Sequence, residues 1–139
     1  NSKGVYAVIM RYREGRVLIY VYRRAKLLHD FSGTEVRRFL KKFGYEGKNL
    51  QEMLEQLSQR LCASDSFPHE IGLFLGYPIE DVKAFIKNEG KNCKLAGTWK
   101  VYHDEQNARK TFCKFKKCTD IYCQMLGKGT PLRRLTVAG

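Results

Sequence analysis

The sequence predicts an α+β fold: a small antiparallel sheet built on an N-terminal β-hairpin, packed by about five helices that include a helix-turn-helix-like corner. Three observations carry this. Two β-rich runs flank a glycine within the first 22 residues. Apolar residues then recur at helical spacing between capping and stop signals from Ser32 to Ile86. Last, Asp104 opens a long stretch closed by Gly127 and Gly129.

Val5 to Met10 and Arg16 to Tyr22 are the two strands, and Gly15 after Glu14 supplies the positive φ that a tight hairpin needs. Along the second strand Val17, Ile19 and Val21 alternate with Leu18, Tyr20 and Tyr22. A strand apolar on both sides is central in its sheet, or else shows an aromatic face to a ligand. Ser32 or Thr34 caps a helix through Phe43, which Gly44 stops. Asn49 caps Leu50 to Cys62, where Leu50, Met53, Leu54, Leu57 and Leu61 form one stripe. A loop covers 63–67, Pro68 starts a short helix to Leu75, and Pro78 starts the next through Ile86. Leu95 to His103 reads as a strand, Asp104 caps a helix to Met125, and Leu132 to Val137 is a tail with an edge-strand pattern.

The chain of 139 residues is expected to form one domain, 1–139, with 43% hydrophobic residues to fill a core. No apolar run approaches the roughly 18 residues of a membrane span. Five cysteines, an odd count with no signal-like segment at the start, point to reduced thiols in a cytoplasmic protein. The net charge is +12, which suggests an anionic partner. It is unevenly placed. Residues 1–48 hold 12 basic and 4 acidic side chains, residues 49–90 hold 3 and 7, and residues 91–139 hold 11 and 3.

That distribution weighs on the motifs. Glu70 to Ile86 has a helix-turn-helix pattern, with Gly72 at the crossing and Gly76 in the turn. Its second helix would present Pro78, Ile79, Glu80 and Asp81 to DNA. Carboxylates repel phosphates, so the pattern reads as a structural corner, with Glu80 and Asp81 as favourable charges at a helix N-terminus. His69-Glu70 could suggest metal chemistry, but Leu73 stands where a zincin has its second His. The plain reading is a Glu in a first helical turn and a His bonded locally. His69 is nonetheless the best candidate for acid–base work. Cys113, Cys118 and Cys123 lie about 140° apart around a helix, which cannot place three thiolates on one ion. They read as small buried hydrophobes. Cys93 folding against Cys118 is the arrangement a thiol or metal site would use.

The basic residues form two clusters. Tyr6, Tyr12, Tyr20 and Tyr22 on the hairpin are flanked by Arg11, Arg13, Arg23 and Arg24, a pattern that can stack single-stranded bases unless helices cover it. Lys110, Lys114 and Lys117 share a face of the last long helix.

The block Phe67-Pro68-His69-Glu70-Ile71-Gly72-Leu73-Phe74-Leu75-Gly76-Tyr77-Pro78 resembles a family of small bacterial proteins, found mainly in anaerobic clostridial Firmicutes and known only as a domain of unknown function. Gly15-Arg16, Tyr20 to Arg23, Trp99-Lys100-Val101-Tyr102, Lys117-Cys118-Thr119 and Arg134 to Ala138 extend the resemblance over nearly the whole chain. It implies an intracellular bacterial protein and a further N-terminal segment with its own cysteine. It implies no activity and no cofactor. The candidate functional residues of the sequence are His69, Glu70, Trp99 and Tyr102.

The function expected from the sequence is non-enzymatic: a binding or adaptor protein whose basic hairpin and C-terminal helix meet RNA or an acidic protein. The rivals are a thiol- or metal-dependent redox protein using Cys93 and Cys118, and an enzyme centred on His69 and Glu70.

Overall fold

A computed structural model describes residues 2–137. The fold is α+β, with an N-terminal antiparallel hairpin and seven helical segments among the described residues. Strand β1 (Val5–Arg13) pairs with β2 (Arg16–Arg23). Glu14 and Gly15 between them have φ of 50° and 74°, as a two-residue type I′ turn requires. The register is broken once. Ile9 faces Ile19 but Arg11 faces Leu18, so Met10 is the extra residue of a β-bulge. Met10 turns into the core, and its carbonyl accepts the Ser58 hydroxyl at 2.6 Å.

The helices α1 (Arg24–Asp30), α2 (Thr34–Lys42), α3 (Leu50–Ala63), α4 (Ile71–Phe74) and α5 (Ile79–Lys87) follow the hairpin. They bury Leu27, Phe31, Leu40, Leu54, Leu57, Leu61, Phe74 and Val82 with Met10 in one cluster. The cap of α3 is the one expected: Asn49 accepts the Glu52 N–H at 3.0 Å, and Glu52 reaches back to the Lys48 N–H at 2.7 Å. Strands β3 (Leu95–Ala96) and β4 (Lys100–Val101) make a second, separate hairpin. It leads into α6 (Glu105–Gly127), capped by Asp104, and then α7 (Leu132–Leu135).

Several expectations are corrected. The strand foreseen over 95–103 is only this short hairpin, because Gly97 to Trp99 turn the chain back. No described strand joins β1 and β2, so β2 is not central in a larger sheet. The tail at 132–137 is a single helical turn rather than an edge strand, with Pro131 preset at its start. Ala138 lies outside the described residues. Gly33 takes the N-cap of α2 with no side-chain bond, in place of Ser32 or Thr34. Helix α1 had no cap or stripe to announce it: it begins directly from β2 with no side-chain cap, and buries Leu27 alone.

The aromatic face of β2 turns inward. Tyr20 stacks on Tyr22 and Tyr22 on Tyr6, at 5.2 and 5.7 Å between ring centres. The Tyr20 hydroxyl donates to the Phe74 carbonyl of α4. The aliphatic side, with Ile9, Val17, Ile19 and Val21, is the exposed one.

The helical corner is as expected, and Gly72 is its reason. A Cβ there would lie 2.9 Å from Val82 Cγ2 and 3.0 Å from a Tyr77 ring carbon. Gly72→Ala should therefore force α4 from α5 and cost about 1–3 kcal/mol in urea denaturation. A variant as stable as the parent would show that the corner has slack.

Candidate functional site

Two buried carboxylates organise the region around the corner. Glu70 is 1% exposed and precedes α4. Its Oε1 accepts the Tyr45 hydroxyl at 3.1 Å and Arg60 Nε at 2.5 Å. Arg60 also donates to the Phe43 carbonyl. Asp81, 3% exposed in the first turn of α5, accepts three donors. Its Oδ1 takes the backbone N–H groups of Tyr102 and His103, both at 2.8 Å, and its Oδ2 takes Trp99 Nε1 at 2.8 Å. Asp81 thus ties the β3–β4 hairpin and the entry to α6 onto α5.

Trp99 is held from three directions. It stacks on Tyr77 at 5.2 Å and meets Phe112 edge-on at 4.6 Å. The Tyr77 hydroxyl donates to the Thr98 carbonyl. A Cβ on Gly97 would fall 2.3 Å from a Phe112 ring carbon, so the turn must be bare for α6 to dock.

Between this hairpin and the Phe67–His69 loop lies a cleft of about 340 Å³. Phe67, Pro68 and His69 form one side, and Ala96 to Lys100 the other. Ile71, Gly72 and Val82 lie with them around it. His69 is exposed there with its ring against Phe85 at 5.2 Å. Lys100 donates to the Gly90 carbonyl at 2.6 Å, and its ammonium lies 5.9 Å from the centre of the Phe85 ring.

Of the four expected residues, His69 and Trp99 meet in this cleft. Glu70 does not, since its carboxylate points inward to Arg60 and Tyr45. Tyr102 is buried behind the hairpin and donates to the Lys91 carbonyl. The sequence reading missed Asp81 as an anchor, because an acid in a first helical turn is ordinarily solvated. Tyr45, Arg60 and Phe112 had no motif to mark them.

The hairpin arginines are largely engaged within the protein. Arg11 donates to the carbonyls of Leu61 and Ser64 at the end of α3, and Arg13 pairs with Asp65. Arg23 donates to the carbonyls of Lys3 and Val137, joining the two ends of the described chain. Arg24 is exposed at the start of α1. Lys110, Lys114 and Lys117 are exposed along α6, with no hydrogen-bond or ion-pair partner among the described residues.

The cysteines correct a further expectation. Cys113, Cys118 and Cys123 are exposed rather than buried, because α6 stands clear of the body there. Cys93 is half-buried. Among the described residues no three His, Cys, Asp or Glu side chains converge as a metal site would need.

Residues 1–136 match the model of the family described as "Protein of unknown function (DUF3793)". The chain belongs to this family. No curated protein and no solved structure matches it. The family model spans both the cleft and α6, so it selects neither as the site. Among the described residues no helix is long and apolar enough to cross a membrane.

Two measurements test this geometry. Asp81→Asn puts an amide N–H against a donor whichever way it is turned. It should cost about 2–4 kcal/mol and shift the emission of Trp99, the one tryptophan. An unchanged stability would mean the three bonds contribute little. Tyr20 and Tyr45 give a pH test. Burial, then the neighbouring Tyr22, raises the Tyr20 phenol well above its usual 10. Burial, then the adjacent Glu70, does the same to Tyr45. Unfolded phenols ionise near 10 while these resist, so the stability they lend is complete below that pH and declines as pH rises beyond it. In a spectrophotometric titration they should ionise last, together with unfolding.

Proposed function

We propose that this protein is a non-enzymatic binding protein that docks an acidic protein partner along α6. The supporting observation is the two-sided character of that helix. Ala108 is buried, and Phe112, Phe115, Tyr122 and Leu126 continue its stripe at steps of three and four or their sum. Past Phe112 the stripe is open among the described residues: Phe115, Tyr122 and Leu126 are 46%, 40% and 49% exposed. Lys117 stands nine residues from Ala108, about 180° around the axis, with Lys110 and Lys114 beside it. A helix of 23 residues, about 34 Å long, thus offers an apolar stripe along its length and a basic back over residues 110–117, beyond which Ile121 and Met125 are exposed on the back. Such a helix suits a groove with an apolar floor and acidic lips.

RNA is the weaker partner. Base stacking needs an open aromatic sheet, whereas Tyr20 and Tyr22 face inward and Arg11, Arg13 and Arg23 hold backbone carbonyls or Asp65. No observation favours the redox or the His69–Glu70 enzyme reading over this one.

Photo-crosslinking in cells tests it, with p-benzoylphenylalanine placed at Phe115 or Tyr122. The expected product is a protease-sensitive adduct with an acidic protein. It should fall about tenfold when Lys110, Lys114 and Lys117 are changed to Glu, since three exposed charge pairs together amount to about 1.5 kcal/mol. An RNase-sensitive adduct, a lipid adduct or none at all would overturn the proposal.

A further inference from the structure

We infer that the cleft between the Phe67–His69 loop and the β3–β4 hairpin is a binding site for a small aromatic carboxylate. This site is separate from α6 and does not depend on the partner proposed for that helix.

The first ground is where the buried charge has gone. Glu70 and Asp81 are the two buried charged residues among those described. Stability alone is a poor reason to bury a carboxylate, because desolvation offsets most of what its partners return. A carboxylate does provide direction, since it takes several donors at fixed angles. Here each one fixes one side of the same cleft. Glu70 is drawn inward by Arg60 and Tyr45, so the preceding Phe67, Pro68 and His69 are left as one lip. Asp81 takes Trp99 Nε1 and the backbone behind it, so the opposite lip cannot swing away. A cleft whose two sides are each pinned is preorganised, which lowers the ordering cost of binding.

The second ground is the lining. Phe67, Phe85, Tyr77 and Trp99 give aromatic walls, which suit a flat apolar ligand. The volume of about 340 Å³ lies at the small end of ligand sites, room for one or two fused rings.

The third ground is the charge. Asp81 lines the cleft but spends its oxygens on three internal donors. Lys100 spends one donor on the Gly90 carbonyl, which leaves two, and holds its ammonium beside the Phe85 wall. The His69 imidazole shows no hydrogen bond within the described protein. The groups left to meet a ligand are therefore a cation, an imidazole and the neutral Thr98 hydroxyl, and the charge among them calls for an anion. An aromatic carboxylate joins both requirements in one molecule.

The chain carries a built-in reporter, because Trp99 is its one tryptophan. Trp99 fluorescence should be titrated with 2-naphthoate, its neutral analogue 2-naphthalenemethanol and its cationic analogue 2-naphthylmethylamine. The carboxylate is expected to give a saturable change, with the amine at least about tenfold weaker. Lys100→Met should bring acid and amine to within about twofold of each other while the alcohol still binds. That variant also removes the bond to Gly90, so His69→Ala, which removes no hydrogen bond, is the second arm. It should weaken 2-naphthoate several-fold and leave the alcohol unchanged. No saturable change with any of the three at millimolar concentration would overturn the site. Equal affinity for acid and amine, or indifference to both substitutions, would overturn its preference for carboxylates.

Discussion

The Asp81 carboxylate is where the two parts of this structure meet. The main core is built from the hairpin and α1–α5, and it includes Val82 beside Asp81. The β3–β4 hairpin and α6 contribute little to that core, and their buried residues Val101, Tyr102 and Ala108 lie outside it. At the corner they are joined to the core by one acid with three donors and the Tyr77–Trp99–Phe112 ring contacts around it, and past α7 Arg23 ties Val137 back to the first hairpin. The arrangement is directional where hydrophobic contact is not. The direction in which α6 leaves the corner follows from that attachment.

How much of this could be read from residues alone depended on how local the cause was. The first hairpin, α3 and α5 have their signals inside the element or at its cap: a turn glycine, Asn49 with Glu52, and Pro78, whereas the helix expected from Pro68 begins only at Ile71, behind Glu70. Helix α1 has none, and its helicity comes from packing Leu27 into the core. The strand pattern of Leu95 to His103 was real but not continuous. Trp99 and the bare Gly97 look like strand residues in sequence, and only the docking of Phe112 shows why the chain turns there. The candidate site was half legible. His69 and Trp99 were visible as unusual residues, whereas the inward turn of Glu70 depends on Arg60 and Tyr45, 10 and 25 residues away.

The charge of +12 takes on a different meaning once its members are placed. Arginine's planar fork suits carbonyl oxygens, and Arg11, Arg23 and Arg60 use it on helix ends and loops. These cations act as ties within the fold. The lysines of α6 have no such duty, apart from Lys116 with Asp120. Net charge therefore overstates the surface available to an anion, and the excess lies with the cations, such as Lys110, Lys114, Lys117 and Arg24, whose side chains make no hydrogen bond or ion pair within the described protein.

The bulge at Met10 has a consequence for chain length. Side chains on a strand alternate, so one added residue ordinarily exchanges the two faces of everything beyond it. By standing out of register, Met10 absorbs that exchange: Ile9 and Tyr12 stay on the aliphatic side, and Arg11 still reaches the end of α3. The ribbon from 11 to 18 accordingly has a parity. Relatives that lengthen or shorten the hairpin tip by a pair of residues keep the inner and outer faces. Those that change it by one must gain or lose a bulge in the same step.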